Sequence, residues 1–377
     1  MRRAPESEEQ HGLREAVREF IAREVVPHHD RWEEQGHVDR KLWLTAGKGG
    51  FLGFDVPEQY GGGGSSDFRL NAILNEELVA VGASGPGFTL HNDVVAPYLL
   101  ELATPEQRDT WLAGFCSGEV ITAIAMTEPG AGSDLRGIRT KARRTGSGWL
   151  LSGSKTFITN GLLADLVVVA AVTDEGRLSL FLVPAGTPGF SRGQKLDKIG
   201  LAAQDTAELY FDRVEVGPEA LLGEVGMGLD YLKANLPRER LSISVRAVAS
   251  ARRALDLTVA YCKEREAFGR PIGDFQAVRF ALAEAATQVD VATQYVDAQI
   301  DALNEGSLTA VDAAMGKWWT TDLERRVADS CLQLHGGYGY MREQPIARLY
   351  LDARIQPIYG GTNEIMKHII GAHLMRA

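Results

Sequence analysis

Five stretches of the 377-residue chain set glycines beside hydroxyl, amide or guanidinium side chains. Residues 124–134 read Ile-Ala-Met-Thr-Glu-Pro-Gly-Ala-Gly-Ser-Asp. Their backbone N–H groups and short donors suit an oxygen-rich ligand. No Gly-Lys-Ser/Thr follows, so this is not a P-loop. Residues 153–161 read Gly-Ser-Lys-Thr-Phe-Ile-Thr-Asn-Gly, where an aromatic followed by Thr159 could support a flat ring and bond to its edge. Residues 265–276 read Arg-Glu-Ala-Phe-Gly-Arg-Pro-Ile-Gly-Asp-Phe-Gln, and Arg265 and Arg270 could grip a phosphate in a fork of donors. Residues 332–340 read Leu-Gln-Leu-His-Gly-Gly-Tyr-Gly-Tyr. His335 has no second His at i+4, so it reads as structural and no metal is expected. Residues 358–366 read Ile-Tyr-Gly-Gly-Thr-Asn-Glu-Ile-Met, with Thr362 placed to cap a helix and an acidic residue in its first turn. Taken singly, each stretch also suits an ordinary turn, strand end or interhelical loop.

The elements that must position these stretches change character twice along the chain. Residues 1–120 read as a helical domain, with Leu13, Val17, Phe20, Ile21 and Val25 at helical spacing and a break at Gly61–Gly64. Residues 121–224 shift towards a period of two. The apolar runs 166–172 and 178–183, and the apolar Leu209, Phe211, Val214 and Val216, predict antiparallel strands of a barrel or sandwich. Residues 225–377 return to long helical patterns: a stripe from Leu241 to Val259, another through Phe280, Ala283, Ala286 and Val289, and a third helix over 309–333. The order helices, strands, helices predicts an α+β multidomain protein and argues against the alternating order of a dinucleotide-binding fold.

Composition narrows the function classes. Lys and Arg total 40 against 50 Asp and Glu, a formal net charge of −10. A chain this acidic has no general attraction for a nucleic-acid backbone. Cys116, Cys262 and Cys331 are odd in number and far apart, which fits buried small residues in a reducing compartment. No apolar stretch is long enough to predict a membrane span. The start, Met1-Arg2-Arg3-Ala4-Pro5-Glu6, lacks an apolar signal core, so the expected location is the cytoplasm, or the mitochondrial matrix had a transit peptide been removed.

In combination and in this order, the motifs resemble the acyl-CoA dehydrogenase flavoprotein family over essentially the whole chain. The Pro-Glu-Gln-Tyr-Gly-Gly stretch at 57–62 and Gly-Phe-Thr-Leu-His at 87–91 add to the match. The resemblance implies an N-terminal helical domain, a central β domain and a C-terminal four-helix bundle. It also implies bound FAD, a homotetramer built as a dimer of dimers, and an electron-transfer flavoprotein as acceptor. By the same resemblance Met126, Thr127, Gly132 and Ser133 would line the flavin, with Ser133 also at the substrate. Phe157, Ile158 and Thr159 would lie against the flavin ring. Arg265, Phe268, Gln276, Gln333, Gly336 and Gly337 would hold the rest of FAD, partly across a subunit boundary, and Thr362 and Glu364 would touch it from the last helix. Phe157 stands where Trp is common, and Met126 where many members have an aromatic.

The reaction this implies is α,β-dehydrogenation of an acyl-CoA thioester to the trans-2-enoyl product, as in fatty-acid β-oxidation. A base takes the α proton, a hydride passes to flavin N5, and a donor stabilises the developing enolate. Many members carry the base directly after the Tyr of Tyr-Glu-Gly-Thr. Here that place is Gly360, which has no side chain to accept a proton. The long-chain and isovaleryl branches carry the base on a distant helix instead, and Leu-Pro-Arg-Glu-Arg-Leu at 236–241 matches that motif with Glu239. The resemblance therefore makes Glu239 the base, with Arg240, Gly360 and Gly361 at the substrate. The competing reading of Glu239 is a surface carboxylate paired with Arg238 or Arg240. Two other functions stay open: the same chemistry on an acyl carrier protein, and a non-catalytic scaffold.

Overall fold

The computed structural model describes residues 5–375; the expectation at Met1–Ala4 lies outside them. Six helices come first: α1 Glu8–Phe20, α2 His29–Gln35, α3 Arg40–Lys48, α4 Phe68–Ala80, α5 Ala96–Leu102 and α6 Pro105–Ser117. Ser7 and Gln10 form a reciprocal capping box at α1, and Thr104 and Gln107 do the same at α6. The apolar positions of the α1 pattern, Val17, Phe20, Ile21 and Val25, pack into one core with Trp32, Trp43 and Phe88.

Eight strands follow: β1 Thr122–Ala125, β2 Lys141–Thr145, β3 Gly148–Thr159, β4 Leu166–Thr173, β5 Leu178–Pro184, β6 Phe190–Lys195, β7 Thr206–Val216 and β8 Leu221–Leu222. They form one mostly antiparallel sheet in the order β6-β7-β3-β2-β4-β5-β8, with β1 on β4. The two mostly apolar runs, β4 and β5, pair antiparallel from Leu166↔Pro184 to Val172↔Leu178. Both are buried almost throughout, as runs covered on two faces must be. Two pairings are parallel, β1 with β4 and β2 with β4, and the path from β6 to β8 stays open rather than closing as a barrel. The apolar alternation in β7 changes phase between Phe211 and Val214. There the register with β3 shifts, and Arg213 takes a left-handed φ of 52°, the mark of a bulge.

The C-terminal part is helical: α7 Gly228–Glu264, α8 Gln276–Asn304, α9 Ala310–Leu334, α10 Pro345–Ala353 and α11 Asn363–Leu374. A two-residue hairpin, β9 Glu266–Ala267 and β10 Arg270–Pro271, turns the chain between α7 and α8. Thr309 caps α9 and Thr362 caps α11, the latter accepting a bond from the N–H of Ile365 at 3.3 Å. The stripe expected on α8 is rotated. Ala285, Val289, Ala292, Val296 and Ile300 face the core, while Phe280 is 58% exposed. The three cysteines are buried and free. Among the described residues no helix is long and apolar enough to cross a membrane.

Candidate active site

Glu239 sits early in α7, two residues after Pro237. A proline there cannot donate to the carbonyl one turn back, so the helix is locally loosened where the carboxylate emerges. Oε2 of Glu239 is buried and finds no hydrogen-bond partner among the described residues. Burial pushes the carboxyl above its ordinary range, against the pull of the Arg240 and Lys317 charges. The competing reading of a surface carboxylate does not hold. Arg238 pairs instead with Asp55 at 2.8 Å, and the buried Arg240 donates from Nε to the carbonyl of Gly360 at 3.3 Å.

Gly360 and Gly361 form the facing wall. Their φ values of 63° and 90° lie in the left-handed region, where a side chain costs roughly 1–2 kcal/mol per residue. A Cβ at Gly360 would overlap Cδ1 of Ile243 and lie 3.6 Å from Oε1 of Glu239, and one at Gly361 would come within 2.8 Å of Cε of Met366. The backbone N–H of Gly360 donates to no backbone group among the described residues. A carboxylate with a free oxygen and an N–H without a backbone partner thus lie in one small site. That pairing can take a proton from a carbon acid and receive the oxyanion that results.

A second group gathers at the ends of β1 and β3. The carbonyl of Met126 accepts from Nζ of Lys155 at 3.0 Å, and the carbonyl of Thr127 accepts from the N–H of Thr156 at 2.9 Å. Lys155 is wholly buried and pairs with Glu128 at 2.8 Å, which itself accepts from the N–H groups of Arg139 and Thr140. Burial pushes the Lys155 ammonium down to about 8. This pair ties the loop bearing Met126 and Thr127 to the strand bearing Phe157, Ile158 and Thr159. Between Lys155 and Ile158 the β3–β7 register shifts, and Phe157 takes a φ of 59° and stands 68% exposed. Phe157 thus presents a strained, outward-facing aromatic near the strand end. Gly132 and Ser133 are exposed, on the loop that follows β1.

A third group is remote. Arg265, His335, Gly336 and Gly337 line a cleft of about 530 Å³ with Tyr261 and Tyr338. His335 is the structural histidine expected: buried, stacked on Tyr261 at 4.2 Å, with Nε2 3.2 Å from Oγ1 of Thr258. Gln276 and Gln333 are exposed nearby in sequence, on the first turn of α8 and the last of α9. Phe268 and Gly269 both have positive φ at the tip of the β9–β10 hairpin, and Phe268 is 94% exposed. Glu239 lies in α7 and Arg265 is the residue just past its end, 26 positions on, about 39 Å at ~1.5 Å per residue. The structure therefore does not bring Arg265 and its neighbours to Glu239 within one chain. Thr362 and Glu364 lie close to the glycine pair instead, at the start of α11.

Three features of the site escaped sequence reasoning. Tyr98 on α5 is buried with an unpartnered hydroxyl, held well above the usual phenol range by burial and by the Glu239 and Glu101 charges. Asp93, also buried, accepts from the hydroxyl of Ser242 one turn beyond Glu239, and burial pushes its carboxyl up to about 7. Lys317 on α9 bonds to the carbonyl of Gly361 at 2.8 Å. Nothing in the local sequence marks them, since each comes from a different element.

Three family models match the chain in order: the acyl-CoA dehydrogenase N-terminal domain over residues 7–119, the middle domain over 123–214 and the C-terminal domain over 226–375. The mitochondrial long-chain specific acyl-CoA dehydrogenase of Mus musculus is 48% identical over 369 residues, covering 96% of this chain and 86% of that protein. The crystal structure of acyl-CoA dehydrogenase from Geobacillus kaustophilus superposes with a TM-score of 0.96 at 46% identity, covering 98% of this chain and 99% of the other. That of acyl-CoA dehydrogenase complexed with FAD from Bacillus anthracis does so with a TM-score of 0.93 at 29% identity, covering 98% and 68%. The chain belongs to the acyl-CoA dehydrogenase family, a family of oxidoreductases.

Proposed function

We propose that the protein is an FAD-dependent dehydrogenase that converts a saturated acyl-CoA thioester to its trans-2-enoyl product, with Glu239 as the base. The observation that carries this is the buried carboxylate of Glu239, with Oε2 unpartnered and Oε1 3.6 Å from where a Cβ at Gly360 would stand. Glu239 would take the α proton. Its raised pKa brings it nearer to that of a weak carbon acid, which favours transfer. The Gly360 N–H would donate to the thioester oxygen as negative charge develops there. Arg240 donates to the Gly360 carbonyl and so holds the next peptide plane, between Gly360 and Gly361.

The residues at the ends of β1 and β3 fit a flavin: an exposed aromatic at Phe157, the Thr159 hydroxyl, and the loop of Met126 and Thr127 fixed by the Lys155–Glu128 pair. When bound, FAD would supply the hydride acceptor. The separation of about 39 Å between Glu239 and Arg265 supports a site shared between two copies of the chain. In that arrangement Arg265, Phe268, Gln276, Gln333, Gly336 and Gly337 of one copy serve the cofactor of another. The exposure of Phe268 and Phe280 beside that group favours a contact with a second copy, within the homotetramer proposed. An electron-transfer flavoprotein is the acceptor proposed with it.

Incubating the purified protein with straight-chain acyl-CoAs from C4 to C16, branched acyl-CoAs and the matching acyl carrier protein conjugates tests the reading. Enoyl-CoA formation with bleaching of the flavin is expected. Turnover on the carrier protein alone would move the assignment to a biosynthetic acyl dehydrogenase, and a colourless protein that failed to take up FAD would end it.

A further inference from the structure

Lys317 is wholly buried in α9, among the largest fully buried side chains of the chain. Burying an ammonium costs several kcal/mol unless its partners compensate. Its hydrogen-bond partners are not carboxylates. Nζ donates to the carbonyl of Gly361 at 2.8 Å and to Oδ1 of Asn363 at 3.1 Å. Asn363 is fixed in turn, donating from Nδ2 to the carbonyl of Trp318 at 3.3 Å and to Oγ1 of Thr321 at 3.1 Å. The charged groups that face Lys317 are Glu239 and Arg240 from α7 and Glu364 from α11. Burial, with the Arg240 charge, pushes the ammonium down to about 7.

Two cationic side chains from two helices therefore grip two successive carbonyls: Arg240 that of Gly360, and Lys317 that of Gly361. A glycine pair in left-handed conformation is the part of a backbone with the most conformational freedom to lose. Each bond holds one rigid peptide plane: Arg240 the plane between Gly360 and Gly361, and Lys317 the plane between Gly361 and Thr362. We propose that Lys317 is a positioning residue: by holding the Gly361 carbonyl it fixes the Gly360–Gly361 turn against the Glu239 carboxylate. This rests on the reading of Glu239 as the base for its catalytic consequence, but not for its structural one.

The test compares Lys317→Met, which keeps length and removes the donor, with Lys317→Gln, which keeps a neutral donor. Hydrogen–deuterium exchange on the holoprotein is read for the segment 357–366 and for α7 and α8 as controls. In Lys317→Met, exchange in 357–366 rises at least tenfold while the controls stay protected and Tm holds or increases. kcat with acyl-CoA falls at least tenfold, and Lys317→Gln recovers part of both effects. Unchanged exchange in 357–366 with unchanged kcat overturns the proposal. So does a loss of protection spread evenly over the controls with a lowered Tm, which marks a purely structural lysine. Glu239→Gln is run beside them. Should it turn over normally, the base assignment fails, while the exchange data still decide the role of Lys317.

Discussion

Glu239 and Gly360 share one small space: a Cβ at position 360 would lie 3.6 Å from Oε1 of Glu239. A carboxylate reaching in from position 360 and one reaching in from position 239 would aim at the same point. The glycine is therefore part of the site. Its missing side chain leaves room for the carboxylate of α7.

Gly360→Glu should then harm the enzyme rather than add a second base. Two carboxylates this close cannot both ionise easily, so one pKa rises further. The new side chain also overlaps Ile243 and sits at a left-handed φ. kcat is expected to fall about tenfold or more. In a Glu239→Gly background the same change should restore part of the activity. Steady-state assays of the single and double variants check this.

The pH profile follows from the raised Glu239 pKa. Proton abstraction needs the ionised carboxylate, so kcat/KM rises with pH through that pKa and is lost as pH falls below it. The acid limb should lie above the ordinary carboxyl range near 4.5. A limb at that ordinary value would contradict the burial of the base.

Asp93 predicts a stability effect of definite sign. Its folded pKa of about 7 is raised from 3.8, so the folded state holds the proton more tightly than the unfolded one. Its contribution to stability is full below 3.8, falls as pH rises to about 7 and is flat above. Asp93→Asn should match the wild type near pH 4 and exceed it above about pH 7 by an amount on the order of a few kcal/mol. Urea denaturation at the two pH values measures it.

Breaking the pair under the flavin-side loop should be costly. Lys155→Met leaves Glu128 buried without its cation, and removing one member of such a pair costs about 3–5 kcal/mol. Flavin content should drop with it, because the carbonyl of Met126 loses its donor.

Much of this was legible in the sequence where local patterns decide local structure. Thr362 caps α11, β4 and β5 run where mostly apolar residues required buried strands, and His335 packs as a structural residue. The change of phase between Phe211 and Val214 was a visible sign of the β7 bulge. What was illegible comes from distant elements meeting. Lys317 lies within a helical pattern rich in polar residues, and only its packing against Gly361 and Asn363 shows it buried. Tyr98 and Asp93 are likewise separated from Glu239 by well over a hundred positions. Phe280 misled because it lies on the face of α8 that is turned away from the buried residues Ala285 and Val289.

The account stands most directly on Glu239→Gln. Glutamine keeps the shape and removes the base, and a positioned base contributes typically ~10²–10⁴-fold. The variant should fold, bind FAD and acyl-CoA as the wild type does, and reduce its flavin at least a hundredfold more slowly when mixed anaerobically with acyl-CoA. Flavin reduction at the wild-type rate would show that another group takes the proton.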